Sequence, residues 1–482
     1  MSTVERSRNG PAWSDIALPS IVGSPGAASG QVHLVGVGGI GMSGIAEVLI
    51  TLGYRVSGSD LRESEITHRL EELGVSIRYG HDASAMTAEV DVVVISSAVD
   101  DGNPEVREAR RLRVPVIARA EMLAELMRLK CGVAIAGAHG KTTTTSLVAG
   151  VLHEGGFDPT VVIGGRLKAL GGSNARLGTS RYMVAEADES DGSFLMLKPV
   201  LAVVTNIDRE HMNHYGTMER LADAYLMFIN SVPFFGRAVL CLDSDEIRGL
   251  LPRVKKRYTS YGLAEDADLR AVDIRTEGLA SSFEVVHRGV ALGRVSLSMP
   301  GVHAVLNALA AVAVANEFGM RFVDCARGLG ACEGIMRRFE IKGEAGGVTV
   351  VDDYAHHPTE IRATLAAARA GFDQRIVAVF QPHRYSRVAD LFGDFAAAFD
   401  DADEVVLTDV YGAGEEALDG IDSARLAEAV ARLHRGKVHY FSSNLDVAGA
   451  VAGLTRAGDM LLTMGAGDIT RLGPEILARL AS

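Results

Sequence analysis

The sequence predicts an α/β fold in three domains, each built on a largely parallel sheet. Short apolar runs alternate with helical patterns along most of the chain, as in residues 90–98, 114–119 and 358–370. Many of these runs end in a glycine turn or a polar cluster. A length of 482 residues, at roughly 100–200 per domain, also gives about three domains. Functional loops collect at the carboxyl ends of parallel strands, so the polar clusters there are the candidate sites.

The domain boundaries are placed where this pattern changes. Residues 1–29 are rich in Ser, Gly and Pro, lack the apolar core of a signal peptide and are expected to be a flexible leader. The first domain then covers residues 30–130, the second 131–335 and the third 336–482. Inside the second domain, residues 268–299 alternate with period two and predict a small antiparallel insertion.

Composition bounds the partners. Net charge is −13, which argues against nucleic acid because that partner needs a basic face. An anionic small ligand remains possible, since local Lys, Arg and helix N-termini can outweigh the global charge. The four cysteines form no CxxC pair and no apolar run is long enough for a membrane helix. We therefore expect a cytoplasmic protein with reduced thiols and no membrane or nucleic-acid partner; the oligomeric state stays open.

The first motif is a glycine turn after an apolar run. Gly36, Gly38 and Gly41 have the spacing GxGxxG, and Asp60 follows at the end of the next apolar run. Such a turn lets backbone N–H groups approach a diphosphate at a helix N-terminus, and the acid fits a ribose hydroxyl. A nicotinamide dinucleotide and a diphosphate sugar nucleotide both satisfy this geometry. A turn that only packs a helix on a sheet is the alternative.

The second motif, GAHGKTTTT at 137–145, resembles a phosphate-binding loop. Gly137 and Gly140 can wrap an anion with backbone N–H groups, and Lys141 supplies positive charge near a transferring phosphate. The hydroxyl of Thr142 or Thr143 can bind Mg²⁺. The sequence therefore predicts a nucleotide site.

The spacing of this loop is unusual, because Ile135 occupies the position of the first glycine in the common form. The four threonines at 142–145 are costly inside a helix, since β-branched side chains lose rotamer freedom there. At a helix N-terminus their hydroxyls are useful. That misfit favours a nucleotide site over a surface turn with a solvated lysine.

An acidic cluster, EADESD at 186–191, follows an apolar run. A strand-end acid such as Glu186, facing a phosphate loop, is a natural Mg²⁺ ligand. His211 ends the next apolar segment, and neighbouring strand ends would bring it close to Glu186. A solvated acidic loop and a histidine without a ligand are the alternatives.

The third domain places basic and aromatic residues at two strand ends. Tyr354 and His356 follow one apolar run, and His383, Arg384 and Arg387 follow another. A pair of arginines suits a small carboxylate or a phosphate, because guanidinium binds such groups bidentately. Aspartates 352–353 could instead accept ribose hydroxyls, and solvated loop charges are the remaining alternative.

Seven motifs, taken in order, resemble one family. They are GVGGIGMSG, GAHGKTTTT, EADESD, TNIDREHM, RRFE, VDDYAHHPTE and QPHRYSR. Together they resemble the Mur ligases, ATP-dependent amide-forming enzymes of bacterial peptidoglycan synthesis, over residues from about 30 to 475. The family's loop has the short form Gly-x-x-Gly-Lys-Thr, which accounts for the spacing here. The resemblance implies a Rossmann-like UDP-binding N-terminal domain, a central P-loop ATPase-like domain and a Rossmann-like C-terminal domain.

The resemblance also implies a reaction that uses ATP and Mg²⁺. The muramoyl carboxylate of UDP-N-acetylmuramate attacks the γ-phosphate of ATP, and the amine of L-alanine then displaces phosphate from the acyl phosphate. A sister ligase that attaches a preformed peptide to the same UDP-sugar is the nearest alternative. A nicotinamide-dependent dehydrogenase built on the first motif is an alternative from another class. Glycine or serine in place of alanine stays open.

The resemblance assigns residues to each site. The ATP site takes Gly137, Ala138, His139, Gly140, Lys141, Thr142, Thr143, Asn307, Arg338 and Asp353. The UDP-sugar site takes Gly36, Gly38, Gly39, Ile40, Gly41, Ser43, Asp60, His139 and Asn174. The amino acid and acyl phosphate take Tyr354, His356, Arg384 and Arg387. The metal ligands are Thr142, Glu186 and His211, and the catalytic residues are Lys141, Glu186, His211 and Arg384.

Three positions depart from the family pattern. Ala138 stands where Thr is expected in the phosphate loop, and Ala304 stands where Asn usually follows the histidine. No lysine occurs between residues 199 and 236, where several sister ligases carry a carbamylated lysine. A metal-bridging carbamate is therefore not expected.

Overall fold

The computed structural model describes residues 30–96, 98–163, 175–332, 334–442 and 446–481. The predicted leader and Asn174 lie outside the described residues. The described residues form two compact units that meet at the Arg119–Ala120 bond. The first unit contains one sheet and the second contains two.

The elements alternate along the chain as the sequence predicts. The strands are β1 (Gln31–Val35), β2 (Arg55–Asp60), β3 (Ser76–Tyr79), β4 (Val92–Ile95), β5 (Val116–Ala118), β6 (Cys131–Ala136), β7 (Thr160–Val162), β8 (Ala175–Arg176), β9 (Tyr182–Glu186), β10 (Leu201–Val204), β11 (Arg237–Cys241), β12 (Tyr258–Gly262), β13 (Leu269–Glu277), β14 (Ala280–His287), β15 (Val290–Leu297), β16 (Glu340–Ala345), β17 (Val348–Asp353), β18 (Arg375–Phe380), β19 (Glu404–Thr408), β20 (Lys437–Phe441) and β21 (Asp459–Met464). The helices are α1 (Ile40–Thr51), α2 (Glu65–Glu72), α3 (Pro104–Leu112), α4 (Arg119–Arg128), α5 (Lys141–Glu154), α6 (Met212–Tyr215), α7 (Met218–Ile229), α8 (Asp245–Leu250), α9 (Val302–Glu317), α10 (Phe322–Gly330), α11 (Pro358–Gly371), α12 (Tyr385–Asp390), α13 (Phe392–Ala396), α14 (Ser423–Leu433), α15 (Val447–Leu454) and α16 (Leu472–Leu480).

The first unit is a five-stranded parallel sheet in the order β3-β2-β1-β4-β5. Its central strand β1 is buried because it carries apolar side chains on both faces, among them Leu34 and Val35. The strand order reverses direction between β1 and β4, and a parallel sheet opens a crevice at such a switch point. The glycine turn that follows β1 lies there, so the Rossmann-like prediction is confirmed.

The second unit begins with a ten-stranded sheet in the order β15-β14-β13-β12-β11-β10-β6-β9-β7-β8. The strands from β13 to β7 pair in parallel. β13, β14 and β15 pair antiparallel, which confirms the predicted insertion at 268–299. One expectation is wrong: β9 and β10 are not neighbours, because β6 lies between them. Glu186 at the end of β9 and the segment after β10 therefore flank the strand that leads into the phosphate loop.

The third sheet has the order β16-β17-β21-β18-β19-β20, and β16 is its antiparallel edge. Three fully buried phenylalanines, Phe380, Phe395 and Phe399, fill one face of it. Burying each such side chain contributes about 1.5–3 kcal/mol, so this face holds the helices firmly on the sheet. β17 and β18 lead directly into the two candidate loops that carry Tyr354 and Arg384.

Two further expectations concern the chain as a whole. Within the described residues the four cysteines form no disulfide with one another, as predicted for reduced thiols. Over the described ranges, we find no helix with both the length and the apolarity needed to cross a bilayer.

Candidate active site

The loop between β6 and α5 has the shape of an anion cradle. Gly137 and Gly140 have φ angles of 139° and 79°, a region that side chains disfavour. A Cβ at Gly140 would lie 2.5 Å from Oδ1 of Asn307, so only glycine fits there. The Asn206 side chain accepts a hydrogen bond from the N–H of His139 at 2.8 Å and fixes the loop from behind. The turn leads into the N-terminus of a fourteen-residue helix, where an anion is stabilised.

The Lys141 side chain folds back over this loop. Its Nζ donates to the carbonyl oxygens of Gly137 at 2.5 Å and Ala138 at 3.2 Å, and to Oε1 of Glu189 at 2.7 Å. Burial alone would lower the pKa of Lys141, but the charges of Glu189 and Glu186 outweigh it and raise that pKa. Burial raises the pKa of Glu189 to about 7. The loop thus holds a charged ammonium where a phosphate group would need one.

Carboxylates and one imidazole surround the lysine. Thr142 Oγ1 lies 3.1 Å from Oε2 of Glu186. Nε2 of His211 lies 3.8 Å from Glu189 Oε1 and 3.6 Å from Glu210 Oε2, and ligand atoms of these three residues lie within 4.8 Å of one another. Oε2 of Glu189 is buried and accepts no hydrogen bond from any residue that the structure describes. A divalent cation would satisfy that orphaned oxygen, so these residues fit one.

Sequence reasoning missed two of these carboxylates. Glu189 belongs to the predicted acidic cluster, and Glu210 precedes the predicted ligand His211. His211 has φ 57° and caps the short helix α6, a strained conformation for a residue that is not glycine. The long segment after β10 turns His211 back toward Glu189, and no local sequence signal predicts that path.

A second cluster joins the two sheets of this unit, around the predicted residue His139 and two carboxylates that the sequence analysis missed. His139 lies between two carboxylates, with Nε2 2.9 Å from Asp208 Oδ2 and Nδ1 3.3 Å from Glu360 Oε1. Burial would lower the pKa of His139, but hydrogen bonds to Asp208 and Glu360 raise it to about 10. Thr359 Oγ1 also donates to Asp208 Oδ2 at 2.6 Å. The phosphate loop is thereby tied to the start of α11.

Glu360 is placed by the N-terminus of α11. His357 is the N-cap, Pro358 opens the helix, and Glu360 reaches back to accept the N–H of His356 at 3.0 Å. Oε1 lies 3.9 Å from the guanidinium of Arg338. Burial would raise the pKa of Glu360, but the positive charge of His356 and the His139 hydrogen bond hold it well below its ordinary value. The carboxylate is therefore a charged link among three basic groups.

The His139 cluster predicts a pH-dependent stability. Its folded-state pKa of about 10 exceeds its ordinary value of 6.5, so its stabilising contribution is complete below pH 6.5 and is lost as the pH rises through 10. We expect the free energy of unfolding of the wild type to fall between pH 7 and 10. The titration of His139 accounts for at most about 1.4 kcal/mol of this decrease per pH unit. His139→Gln should show a shallower decline in urea titrations. Equal slopes for the two proteins would contradict the charged imidazole.

A cavity of about 420 Å³ opens beside the loop. The predicted ATP residues among its lining are His139, Gly140, Thr143, Asn307, Arg338 and Asp353. Asp353 is buried, and its oxygens accept the N–H groups of Phe339 at 2.7 Å and Ala355 at 2.8 Å. It therefore fixes the cavity wall through backbone contacts. Ala304, which stands where the family usually has Asn, lines the cavity together with His303.

The predicted amino-acid residues lie at the ends of β17 and β18. Arg387 Nη2 is 3.2 Å from Oε1 of Glu210, and its Nη1 is 3.2 Å from Nδ1 of His383. Arg384 has φ 69° and ψ 128°, a strained conformation, and its side chain is 48% exposed. Strain of this kind at a non-glycine residue is typical of functional sites. The structure thus brings the basic end of the third sheet to the carboxylates of the second.

Tyr354 and His356 lie on the segment between β17 and α11. The guanidinium carbons of Arg337 and Arg338 lie 4.9 Å and 5.3 Å from the centre of the Tyr354 ring. His356 Nδ1 is 3.0 Å from the carbonyl oxygen of Tyr354 and 3.1 Å from Glu360 Oε2. Of the four residues predicted to hold the amino acid and acyl phosphate, Tyr354 and His356 therefore lie on the loop after β17. Arg384 lies at the N-cap and Arg387 within the short helix α12 that follows β18.

The glycine turn of the first unit forms a separate candidate site. Asp60 Oδ2 accepts the N–H of Gly38 at 2.9 Å. A Cβ at Gly38 would lie 2.9 Å from that oxygen and from Thr67 Cγ2, which explains the glycine. Gly39 is the N-cap of α1 without a side-chain cap, and Gly36 has φ 77°. The turn and Asp60 are brought together as the sequence predicts, with the open helix N-terminus that a diphosphate requires.

These features define an α/β nucleotide-dependent enzyme with a phosphate loop, an acidic cation-type cluster and a separate glycine turn. The chain belongs to the Mur ligase family, whose members are ATP-dependent ligases. The Mur ligase family catalytic domain matches residues 31–130, the Mur ligase middle domain matches residues 135–315, and the Mur ligase glutamate ligase domain matches residues 337–467. The resemblance carried by the seven motifs is therefore confirmed.

Individual relatives narrow the comparison. The UDP-N-acetylmuramate–L-alanine ligase of Geobacter sp. (strain M21) is 57% identical over 451 residues, which is 93% of this chain and 97% of that protein. The crystal structure of UDP-N-acetylmuramate-alanine ligase from Thermotoga maritima is similar, with a TM-score of 0.76 and 30% identity over 93% of this chain and 98% of that chain. A murein peptide ligase from Psychrobacter arcticus shares the fold at a TM-score of 0.68 and 24% identity, over 94% and 99% of the two chains.

Proposed function

We propose that the protein joins L-alanine to the muramoyl carboxylate of UDP-N-acetylmuramate, with ATP as the energy source, in the cytoplasm during peptidoglycan precursor synthesis. The relatives named for this reaction support the proposal through their identity and coverage. The contact between Arg387 and Glu210 carries it, because it joins the predicted acyl-phosphate residues to the carboxylates around Lys141. Phosphoryl transfer and amide formation then take place in one compact site.

The chemistry explains why such residues are needed. A carboxylate is a poor acyl donor, because its oxygen is a poor leaving group. Attack of the carboxylate on the γ-phosphate forms one O–P bond, breaks the bond to ADP and converts that oxygen into a phosphate leaving group. Two anions must meet in this step, and Lys141 offsets their repulsion from its position across the loop.

Phosphate release then completes the amide. The alanine amine attacks the acyl carbon, the bond between that carbon and the phosphate-bearing oxygen breaks, and the amine loses a proton. Glu210 and His356 lie near the end of the third sheet where this step is proposed to occur. Arg387 and Arg384 would hold the anionic groups of the amino acid and of the leaving phosphate.

A magnesium ion would supply Lewis-acid stabilisation of the charge on the transferring phosphate. Thr142, Glu186 and His211 are the proposed ligands, and the buried carboxylates Glu189 and Glu210 extend the oxygen-rich surface around them. The neighbouring Lys141 is held by Glu189, so its ammonium stays next to these carboxylates.

The proposed amino-acid clamp is testable at Arg384. Its side chain is 48% exposed and its carboxylate neighbour, Glu415 Oε1, is 3.7 Å away, so it is available to a small carboxylate. Arg384→Ala should raise the KM for alanine, or lower kcat, by about tenfold, since a charged hydrogen bond is worth about 1.5–3 kcal/mol. The KM for ATP should change little. Arg432→Ala, at an exposed helix position, is the control; an unchanged KM and kcat in Arg384→Ala would remove the clamp.

The decisive assay for the proposed reaction is phosphate release from ATP with Mg²⁺ and UDP-N-acetylmuramate. Release that requires both the UDP-sugar and L-alanine is the expected result. Release that requires a longer peptide instead of alanine would identify the sister ligase. Tight NAD(H) binding without affinity for the UDP-sugar would identify a dehydrogenase and overturn the proposal.

A further inference from the structure

An exposed aromatic turn precedes β11. The N–H of Gly236 donates to the carbonyl oxygen of Pro233 at 2.9 Å, which closes a four-residue turn. Phe234 and Phe235 occupy its two central positions and are 85% and 59% exposed. Their rings contact each other edge to face at 5.3 Å. The tip of this turn, Phe234–Phe235, is therefore an apolar projection into solvent.

The fold does not require these side chains. Central turn positions favour Gly, Asn, Asp or Pro, because those residues suit the backbone geometry. Val232, two residues before the tip, is completely buried and anchors the turn in the core. Burial of a phenylalanine side chain normally stabilises a protein, but these two side chains remain exposed to solvent. A partner that covers the tip would recover that stabilisation.

A basic segment lies next to the tip. The N–H of Lys255 donates to the side chain of Asn230, just before the turn, at 2.7 Å. The carbonyl oxygen of Arg257 accepts the N–H of Ala238, just after the turn, at 2.9 Å. Lys255 and Arg257 are exposed, and Lys256 between them is half-buried. Lys255–Arg257 therefore lies next to the aromatic tip, at the same end of the strands.

The charges of this segment are not neutralised internally. Within the part of the chain that the structure describes, Lys255, Lys256 and Arg257 form no ion pair within 4.0 Å. Two arginines near this segment do form ion pairs, since Arg237 pairs with Glu317 and Arg253 pairs with Asp223. The chain as a whole carries a net charge of −13. These three basic residues nevertheless give the surface beside the two exposed phenylalanines a local positive charge. Such a surface complements an anionic partner.

The position leaves the nucleotide site free. β11 and β6 run parallel within one sheet, separated by β10. The aromatic tip precedes β11, whereas the phosphate loop follows β6. The aromatic tip therefore lies at the amino ends of these parallel strands and the phosphate loop lies at their carboxyl ends. A partner on the tip would not cover the loop.

We propose that Phe234–Phe235 and Lys255–Arg257 form a peripheral contact with a bilayer that carries anionic lipids. The rings enter the headgroup boundary, and the cations bind lipid phosphates. A convex tip of two rings suits a soft bilayer, whereas a protein partner would have to offer a matching pocket. This inference departs from the expectation, drawn from the absence of a membrane-spanning run, that no membrane is a partner.

Flotation of the full-length chain with vesicles tests the contact. The probes are vesicles of phosphatidylcholine alone and of phosphatidylcholine with phosphatidylglycerol in equal parts. We expect binding to the anionic vesicles that weakens as salt rises, and weaker binding to the neutral ones. Phe234→Ser/Phe235→Ser should reduce binding about tenfold or more, and Lys255→Glu/Arg257→Glu should do the same.

Matched variants separate this contact from general surface effects. Leu418→Ser/Leu433→Ser removes two other exposed apolar side chains, and Arg432→Glu/Arg435→Glu reverses two other exposed charges. Both should bind like the wild type.

No flotation with anionic vesicles, or equal flotation of all variants, would overturn the proposal. Self-association in light scattering that disappears in Phe234→Ser/Phe235→Ser would assign the tip to a second copy instead. Phosphate release in solution should be unchanged in every variant, so this test is independent of the proposed reaction.

Discussion

Lys141→Ala is expected to lower kcat for phosphate release by about 10³-fold or more, a loss comparable to removing other preorganised charges from phosphoryl-transfer sites. The ammonium lies within hydrogen-bond distance of two loop carbonyls and of Glu189, next to the loop that is proposed to hold the transferring phosphate. Binding of the UDP-sugar should be largely unchanged, because the glycine turn belongs to the first unit. Quenched-flow phosphate release and calorimetric UDP-sugar binding measure the two effects.

The variant should remain folded. Removing Lys141 leaves Glu189 without its cation, which raises the pKa of that carboxyl above about 7, so that it takes up a proton instead of staying charged and unpaired. The exposed Lys198→Ala variant is the matched control, and it should retain full activity. Undiminished turnover of Lys141→Ala would remove this lysine from the mechanism. Loss of UDP-sugar binding together with activity would indicate misfolding.

Glu360→Ala is expected to have the second-largest effect, on stability and activity together. The side chain of Glu360 is 11% exposed and its carboxylate links His139, His356 and Arg338. Removing one member of a buried ionic cluster typically costs about 3–5 kcal/mol, because the remaining charges lose their compensation. Freed from this link, His139 and Arg338 would shift at the phosphate loop and the cavity wall, and kcat/KM should fall about 100-fold.

Two controls define what is lost at this position. Glu360→Gln keeps an acceptor for the N–H of His356 but removes the charge, so it should fall between the wild type and Glu360→Ala. Glu428→Ala changes a 72%-exposed carboxylate and should be silent. Chemical unfolding and steady-state kinetics are the measurements. If Glu360→Ala unfolds like the wild type, the cluster does not join the two sheets.

Much of the architecture follows from local patterns. Residues 303–319 predict a helix, and α9 covers Val302–Glu317. Residues 268–299 alternate with period two, and the three antiparallel strands lie there, since the alternation of side chains along a strand is visible in the sequence. The glycines at 137 and 140 likewise mark their turn, because their backbone conformations exclude most side chains. These signals depend only on near neighbours in the chain.

The remaining features depend on contacts between distant segments. Asp208 and Thr359 are 151 residues apart and join through one hydrogen bond, for which the sequence gives no sign. The insertion of β6 between β9 and β10 is a property of strand order, so the route that brings His211 to Glu189 was not predicted. The sequence does show that acids cluster at 186–191, but it does not show which of them faces Lys141. Strand order and the path of the loop after β9 decide that.

The central claim is that the muramoyl carboxylate is activated as an acyl phosphate beside Lys141. The most direct test supplies UDP-N-acetylmuramate labelled with ¹⁸O at both oxygens of that carboxylate, together with ATP, Mg²⁺ and L-alanine, and analyses the released phosphate by mass spectrometry. The account predicts one ¹⁸O atom in each phosphate, because the carboxylate oxygen leaves with it. Unlabelled phosphate accompanied by amide product would contradict the acyl phosphate.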